Sequence, residues 1–351
     1  MTNPGMKNHW FAVEHTSKVS SKRPTPIKLF GMPMVLYRTP SGGIQCVRDL
    51  CPHRGSRLSV GRMLNGHLSC RYHGWQFGEG GRCVNIPQHL NKRMAIPSSA
   101  HAHALPTRVL GDLVWVWPGE PAKAEQSEPY LPKSPGEDYL ADNEQWYFET
   151  HYGLAMENLL DPAHQPHVHR STLTAFYTRD HDRINPTIWK EVQERDGVLY
   201  GHQIYENNPE KNITHTYRMV SPWLLIFDVH FPARGFFKKW HQQMYLYMVP
   251  IDKRTCEVKI RAYRNYLTSR VIQRPLNLIN YLVAKRIHHD DKIVMEPQQS
   301  NWDNGLMGNN FVPSDALVVR YRKVWEKLEA AGDPWYRPGT ESEFVPCDKA
   351  A

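Results

Sequence analysis

The sequence lacks the features that mark membrane, secreted and disulfide-stabilised proteins. Its 351 residues contain no apolar run of about 18 residues or more, so no membrane-spanning helix is predicted. The first residues, MTNPGMKNHWFAVEH, do not follow the basic and then apolar pattern of a signal peptide. Six cysteines are too few for a disulfide scaffold in a chain of this length. These absences lead us to expect a cytoplasmic protein with an ordinary hydrophobic core.

The sequence also lacks a concentrated basic patch. Its net charge is +8, from 43 Lys and Arg and 35 Asp and Glu residues, but the basic residues are dispersed. No nucleic-acid-binding motif and no flavin or dinucleotide motif is present. We therefore expect no nucleic-acid partner, and we interpret the charge as favouring an acidic protein partner.

The composition divides the chain into three parts. Residues 1–120 contain runs such as PMVLYR and LVWVW, which are rich in β-branched and aromatic residues and typical of short strands. Residues 121–140 are rich in Pro, Glu and Ser and are predicted to be a linker. Residues 141–351 form the second predicted domain, in which 186–270 alternate as expected for a large antiparallel sheet.

Three helical segments are predicted in the second domain. The first lies within 153–165 and is interrupted at Asp161-Pro162, because a residue before proline disfavours the helical conformation. The others span 276–296 and roughly 313–331. Strands and helices are therefore segregated along the chain, which predicts the α+β fold class.

Two short segments each pair a cysteine with a histidine. Cys51-Pro-His53 is followed, after sixteen residues, by Cys70-Arg-Tyr-His73. Two thiolates can hold one iron of a [2Fe–2S] cluster while two imidazoles hold the other, and the imidazoles raise the reduction potential above that of an all-cysteine cluster. A structural zinc ion is the alternative, although zinc fingers usually keep the two cysteines together.

These segments resemble the Rieske domain of ring-hydroxylating oxygenases. The likeness lies in CPHRGSRLSVGR and CRYHGWQF, in VLYR before them and in GRCVNIP and GDLVWVWPG after them, and it covers most of residues 9–120. It implies an all-β N-terminal domain whose [2Fe–2S] cluster is held by Cys51, His53, Cys70 and His73. It also implies a C-terminal catalytic domain of the helix-grip (START-like) type, with a large antiparallel sheet.

A second motif, ENLLDPAHQPHVH, covers residues 157–169. It is similar to the D-x-x-H-x-x-x-x-H pattern of the same family, which selects Asp161, His164 and His169 and passes over His167. Two histidines and one carboxylate form the facial triad of non-haem Fe(II) oxygenases, which leaves open positions on the metal. The alternative is that these histidines are surface residues or satisfied core residues.

The resemblance assigns separate roles within this motif. It implies that His164 and His169 bind a mononuclear iron. It implies that Asp161 hydrogen-bonds an iron-ligand histidine on one side and, on the other, a cluster histidine of the neighbouring subunit in a homotrimer. Asn158, three residues before Asp161, is a candidate for the wall of the same site.

The third iron ligand is expected on the helix predicted over 276–296. The candidates are Asp290, Asp291 and Glu296. Asp291 shares a helix face with apolar residues at i−4, i+3 and i+4, whereas Asp290 follows Arg286 by four residues, which suggests a pair on the surface. The segment also resembles the ligand-bearing helix of the smaller demethylase-type members of the family, in which Asp291 aligns with the ligand. We therefore predict Asp291; a pairing of Asp291 with Lys292 or His288 is the alternative.

The resemblance implies a terminal oxygenase that works with other chains. Electrons from NAD(P)H would arrive through a separate ferredoxin and/or flavin reductase, and O₂ would be used to hydroxylate or demethylate an aromatic or natural-product small molecule. Dihydroxylation stays open. Several arginines flank the cluster motif. They could form a basic rim around the cluster that attracts an acidic electron donor, or they could simply cap carbonyl groups of the loops, and we weigh the two equally. The arginines near the cluster motif are Arg48, Arg54, Arg57, Arg62 and Arg71.

Two other functions remain open on the sequence alone. A Rieske electron carrier with an appended binding domain predicts no mononuclear iron, and a zinc-binding interaction protein predicts a colourless protein. For the substrate pocket of an oxygenase, apolar and aromatic residues near the second motif and in the sheet are candidates. They are Leu154, Phe176, Phe227, His230, Phe231 and Trp240.

Overall fold

The structure is a computed structural model, and it describes residues 7–89, 94–169, 172, 187–195, 197–205, 213–232, 239–268, 273–308 and 310–330. Phe176, one of the pocket candidates, lies outside these residues. The chain divides into two compact units, Met1–Leu131 and Pro132–Ala351. The division falls within residues 121–140, the segment that the composition predicts as a linker.

The first unit consists of short antiparallel strands in three sheets. The sheet orders are β1-β11-β10, β2-β3-β4-β9 and β5-β6-β7-β8. The strands are β1 Phe11–His15, β2 Thr25–Leu29, β3 Met32–Arg38, β4 Ile44–Arg48, β5 Arg62–Leu64, β6 His67–Ser69, β7 Gln76–Phe77, β8 Cys83–Asn85, β9 Ala104–Leu105, β10 Thr107–Leu110 and β11 Leu113–Val116. The apolar runs PMVLYR and LVWVW became β3 and β11, and every residue of β11 is buried.

A tight hairpin sets the register next to the cluster motif. Strands β5 and β6 pair so that Leu64 lies opposite His67, which leaves Asn65 and Gly66 as a two-residue turn. Both have positive φ angles, 52° and 76°, as an Asn-Gly turn of this type requires. A Cβ atom on Gly66 would stand 2.9 Å from a side-chain carbon of Pro40, so a larger residue is excluded there.

The second unit is built on one seven-stranded antiparallel sheet of order β12-β18-β17-β16-β15-β14-β13. Its strands are β12 Leu140–Phe148, β13 Thr187–Arg195, β14 Val198–Tyr205, β15 Thr214–Ser221, β16 Leu224–Phe231, β17 Trp240–Pro250 and β18 Cys256–Arg264. Strands β13 to β18 confirm the sheet predicted over 186–270. Strand β12 was not predicted, because polar residues occupy inward positions that the alternation rule expects to be apolar.

Of the α-helices in the described residues, three follow the predicted segments and three short ones were not predicted. In chain order the helices are α1 Pro121–Ala124, α2 Tyr152–Leu160, α3 Gln165–Val168, α4 Gln273–Met295, α5 Gln298–Asp303 and α6 Ala316–Ala330. The helix predicted to start near residue 313 begins instead with a 3₁₀ turn, Pro313–Asp315, and continues as α6. The predicted α+β class, with an all-β N-terminal part and a large antiparallel sheet with helices after it, is confirmed. Within the described ranges, no helix is both long enough and apolar enough to cross a membrane.

A buried ion pair joins Arg322 of α6 to Glu157 of α2, and we expect it to stabilise the folded chain. Arg322 donates from Nε to Glu157 Oε1 at 2.8 Å and from Nη2 to Oε2 at 2.7 Å. Burial raises the pKa of Glu157, and the adjacent guanidinium partly offsets that rise. We expect Arg322→Met to lower the free energy of unfolding by about 3–5 kcal/mol, because it leaves a buried carboxylate without its counter-charge.

Urea unfolding followed by circular dichroism measures this effect. Glu157→Gln in the Arg322→Met background should restore part of the loss, because the uncompensated charge is then removed. Lys327→Met, an exposed position on the same helix, serves as the matched control and should change stability by no more than about 0.5 kcal/mol. An Arg322→Met protein as stable as the Lys327→Met protein would contradict the prediction.

Candidate functional site

The two Cys-His segments of the first unit form loops with the same backbone geometry. In each loop the glycine four residues after the cysteine donates its N–H to the cysteine carbonyl, at 2.9 Å for Gly55 and 3.0 Å for Gly74. The N–H groups of Cys51 and Cys70 in turn donate to the carbonyl five residues further on, at 2.8 and 2.9 Å. The glycines have φ angles of 70° and 76°, a conformation that side chains disfavour. The repeated loop explains why each segment needs its glycine.

The four predicted cluster ligands lie together, with the cysteines inside and the histidines towards solvent. Cys51 and Cys70 are each 2% exposed and belong to the hydrophobic core of the unit. The rings of His53 and His73 are 4.6 Å apart, and His53 stacks on Trp75 at 4.6 Å with an interplanar angle of 5°. Burial raises the pKa of Cys51 to about 11, and the neighbouring Cys70 thiol adds to the rise. The donor set fits a [2Fe–2S] cluster that would hold both cysteines as thiolates and present its histidine-bound iron at the surface.

Exposed basic and apolar residues lie in and beside the two Cys-His segments of the sequence. Leu50 is 53% exposed and Tyr72 is 60% exposed. The five arginines named from the sequence are all exposed, namely Arg48, Arg54, Arg57, Arg62 and Arg71. The segments that carry the cluster ligands therefore expose both basic and apolar side chains.

The second motif is shaped by the break after α2. Asp161 ends the helix with extended backbone angles, φ −96° and ψ 112°, as expected for the residue before Pro162. Its Oδ1 accepts a hydrogen bond from the N–H of Ala163 at 2.7 Å, which closes the turn that leads into α3. The turn places His164 before α3 and His169 after it.

His164, His169 and Asp291 converge on one point in the second unit. The Asp291 Oδ1 atom lies 3.6 Å from His164 Nε2 and 3.3 Å from His169 Nε2. One ligand atom from each of the three lies within 4.8 Å of the others. Two ligand atoms that are each about 2.1 Å from one ion stand roughly 3 Å apart, so this spacing fits a shared metal. His169 and Asp291 are each 3% exposed, which shields such an ion from bulk water.

Neighbouring groups orient these three side chains. Asn158 Nδ2 donates to Asp291 Oδ1 at 3.1 Å, and Asp161 Oδ2 lies 3.6 Å from His164 Nδ1. Burial lowers the pKa of His164, but Asp161 and Asp291 outweigh burial and raise it overall. The negative potential that favours a proton on this imidazole also favours a metal cation in its place.

The other candidates of the sequence do not join this centre. Asp290 pairs with Arg286 as predicted, at 2.9 Å, but the expected surface position is wrong, because Asp290 is only 5% exposed. Glu296 accepts a hydrogen bond from the N–H of Glu149 at 2.8 Å instead. His167 lies in α3, is exposed, and does not belong to the converging group.

A cavity of about 180 Å³ opens between the sheet and α4, and the three converging side chains form part of its wall. Two of the predicted lining residues, Phe227 and Phe231, do line it. Leu154 is core, His230 stacks on His241 at 4.4 Å, and Trp240 stacks on Tyr266 at 5.1 Å, so these three predictions are corrected. On β16, Phe227 and Phe231 occupy odd positions, which face the cavity, whereas His230 occupies an even position on the opposite face.

The sequence interpretation missed the polar part of the wall. Glu144 on β12, Gln242 on β17, Tyr266 and Asn280 line the cavity among its apolar residues. The Tyr266 hydroxyl donates to Gln242 Oε1 at 2.5 Å. The spacing of α4 held a partial signal, because Asn280, Ala284, Ile287 and Asp291 follow one helix face. No comparable signal exists for Glu144, since a single acid in an unpredicted strand carries no periodicity.

Comparison with family models gives two matches that together cover most of the chain. Residues 9–99 match the Rieske [2Fe-2S] domain. Residues 148–331 match the C-terminal domain of vanillate O-demethylase oxygenase. The first match contains all four predicted cluster ligands, and the second contains the three side chains that converge on the cavity wall.

Named relatives and solved structures agree with both matches. Chlorophyllide a oxygenase of Arabidopsis thaliana is 33% identical over 341 residues, which is 94% of this chain and 59% of that protein. The oxygenase component of dicamba O-demethylase from Stenotrophomonas maltophilia is 34% identical over 195 residues, 55% of this chain and 54% of that protein. The chain therefore spans less than two thirds of the length of these relatives. The crystal structure of dicamba monooxygenase bound to 3,6-dichlorosalicylic acid has the same fold, with a TM-score of 0.76, 24% identity, and coverage of 92% of this chain and 97% of that one.

Proposed function

This chain belongs to the Rieske non-haem iron oxygenases, and we propose that it is the terminal oxygenase component of a multi-protein system. It receives electrons that originate from NAD(P)H through a separate ferredoxin and/or flavin reductase, and it uses O₂ to hydroxylate or demethylate a small molecule. The substrate is an aromatic or natural-product compound, in keeping with relatives named for chlorophyllide a, dicamba and a 4β-methylsterol. Nothing favours the alternative of an electron carrier without oxygenase activity.

One observation carries this proposal. His164, His169 and Asp291 meet on the wall of a cavity, in the same chain as a complete set of cluster ligands. An electron carrier needs only the cluster, whereas an oxygenase needs a metal with open positions that face a substrate. The cavity provides the space in which a substrate could face such a metal.

The residues of the second site have distinct tasks. His164, His169 and Asp291 would hold Fe(II), and when bound the iron supplies the position at which O₂ is activated. Asn158 donates to the coordinating oxygen of Asp291 and so restrains its rotation. Asp161 Oδ2 lies 3.6 Å from His164 Nδ1, so its charge would favour a proton on Nδ1 and leave Nε2 free to face Asp291 and the metal position.

Asp161 also supports the proposed homotrimer. Its side chain is 26% exposed; Oδ2 lies near His164, and Oδ1 accepts from the N–H of Ala163. A cluster histidine of a neighbouring subunit, His53 or His73, would donate its free ring N–H to this carboxylate, which would connect one cluster to one iron across the subunit boundary. The exposed arginines in and beside the two Cys-His segments would attract the acidic electron donor.

Metal analysis tests the proposed function. We expect the purified chain to be coloured and to contain about three irons and two acid-labile sulfides. His169→Ala should retain about two irons and two sulfides, because only the mononuclear site is lost, while His167→Ala, its matched control, should retain about three irons. A colourless protein, or a chain that binds no third iron when Fe(II) is added, would overturn the proposal.

A further inference from the structure

Glu144 is an acid on an otherwise largely apolar cavity wall. On β12 the exposed residues Asn143 and Gln145 alternate with less exposed residues that include Glu144 and Trp146, and the latter two line the cavity. Across the sheet, Glu144 lies opposite Ile260 of β18. A carboxyl group among apolar side chains is costly unless it is paired, so its partners show whether it belongs to the core or to a ligand.

The contacts of Glu144 leave one carboxyl oxygen available. Trp146 Nε1 donates to Glu144 Oε2 at 3.1 Å, and within the described part of the chain it is the hydrogen-bond donor that reaches this carboxyl group. The nearby guanidinium of Arg264 is engaged elsewhere. It donates to Asp142 Oδ2 at 2.8 Å, to Asn277 Oδ1 at 2.7 Å and to two backbone carbonyls. The charges of Asp142 and Arg264 therefore neutralise each other, and the charge of Glu144 is left without a basic partner among these residues.

The charges of the wall favour one class of ligand. Among the described residues that line the cavity there is no lysine and no arginine. Burial raises the pKa of Glu144 to about 7; the Trp146 hydrogen bond opposes the rise and the charge of Asp142 adds to it. An ionised Glu144 attracts a cation or an N–H or O–H donor, and it repels a carboxylate.

Glu144 is also placed to set the orientation of a ligand relative to the proposed iron. Trp146 stacks on His288 of α4, at 5.6 Å and an interplanar angle of 9°, and His288 is three residues before Asp291. Arg264 contacts Asn277, which is fourteen residues before Asp291, or about 21 Å along the helix. Glu144 lies between Asp142 and Trp146 on β12, and therefore between these two levels, so its carboxyl group and Asp291 line different parts of the cavity.

We propose, on the basis of the oxygenase function above, that Glu144 determines substrate specificity. It binds a hydrogen-bond donor or positive charge on the far side of a ring-sized substrate, and it excludes substrates that present a carboxylate there. The amides of Gln242 on β17 and Asn280 on α4 also line the cavity, and Asn280 precedes Asp291 by eleven residues on the helix, so they add polar groups away from the iron ligands.

Three single-ring probes that differ in one group test this proposal: para-methoxybenzylamine, para-methoxybenzamide and para-methoxybenzoate. Isothermal titration calorimetry on the full chain at about pH 8.5, where Glu144 is ionised and the amine is still protonated, measures their binding without turnover. We expect the wild type to bind the amine and the amide at least about tenfold more tightly than the benzoate. Glu144→Gln should reduce the preference for the amine over the benzoate by about tenfold or more, while Glu144→Asp, which retains the charge, should keep it.

Controls separate this inference from folding and from the oxygenase function. Glu326→Gln removes an equivalent charge from an exposed position on α6 and should bind the probes as the wild type does. Thermal unfolding and iron content are measured on the same samples, because absence of the third iron would refute the oxygenase proposal and leave the probe ratios unaffected. A wild type that prefers the benzoate or binds none of the probes, or a Glu144→Gln variant with unchanged ratios, would overturn the role of Glu144.

Discussion

We expect Asp291→Ala to abolish mononuclear iron binding and oxygen-dependent turnover, and Asp290→Ala to retain both. The two residues are adjacent in α4 and both are buried, but only Asp291 has an oxygen 3.3–3.6 Å from the two histidine Nε2 atoms. Asp290 instead pairs with Arg286, whose side chain is 53% exposed. Loss of an outer-sphere partner already costs about 10–100-fold in metal affinity, so loss of the carboxylate ligand should exceed that range.

Iron and sulfide counts, together with reductant-dependent O₂ consumption, measure the difference. The Asp291→Ala protein should contain about two irons and two sulfides, with the cluster spectrum unchanged, because the cluster lies in the other unit of the chain. Asp290→Ala is the matched control for the loss of a buried acid. Three irons in the Asp291→Ala protein, or two in the Asp290→Ala protein, would show that the third ligand is misassigned.

Asp161→Asn should leave both metal centres in place and slow turnover by about 100-fold or more. The amide oxygen of asparagine can still accept from the N–H of Ala163, so the turn after α2 is preserved. What is lost is the negative charge beside His164 Nδ1, and with it the proposed contact to a cluster histidine of a neighbouring subunit. The variant therefore tests electron transfer between the cluster and the mononuclear iron, and not whether the two metal centres form.

The rate at which O₂ reoxidises the reduced cluster in a single turnover distinguishes the two roles. We expect slow reoxidation with normal iron and sulfide content. His167→Ala, an exposed change in the same segment, should behave as the wild type. Loss of the mononuclear iron from Asp161→Asn would show that Asp161 serves only to position His164. Reoxidation at the wild-type rate would show that electrons pass from the cluster to the iron by another route.

The sequence by itself was sufficient for the parts of the sites that are local in the chain. All four predicted cluster ligands fall between Cys51 and His73, and the loops that carry them are closed by glycines only four residues from each cysteine. Asp161, His164 and His169 are likewise set by one turn, which Pro162 imposes on the residue before it. In such segments the spacing of residues nearly determines their geometry, so the motif could be interpreted without the fold.

The tertiary structure decided the features that depend on distant pairing. Asn158 and Asp291 are 133 residues apart, and only the packing of α4 against α2 shows that they touch and that Asp290 is buried as well. Glu144 was invisible in the sequence because a polar inward position breaks the alternation by which a strand is recognised. Which face of β12 meets the cavity follows from its register against β18, and a register of one residue more or less would have turned Glu144 to the outside.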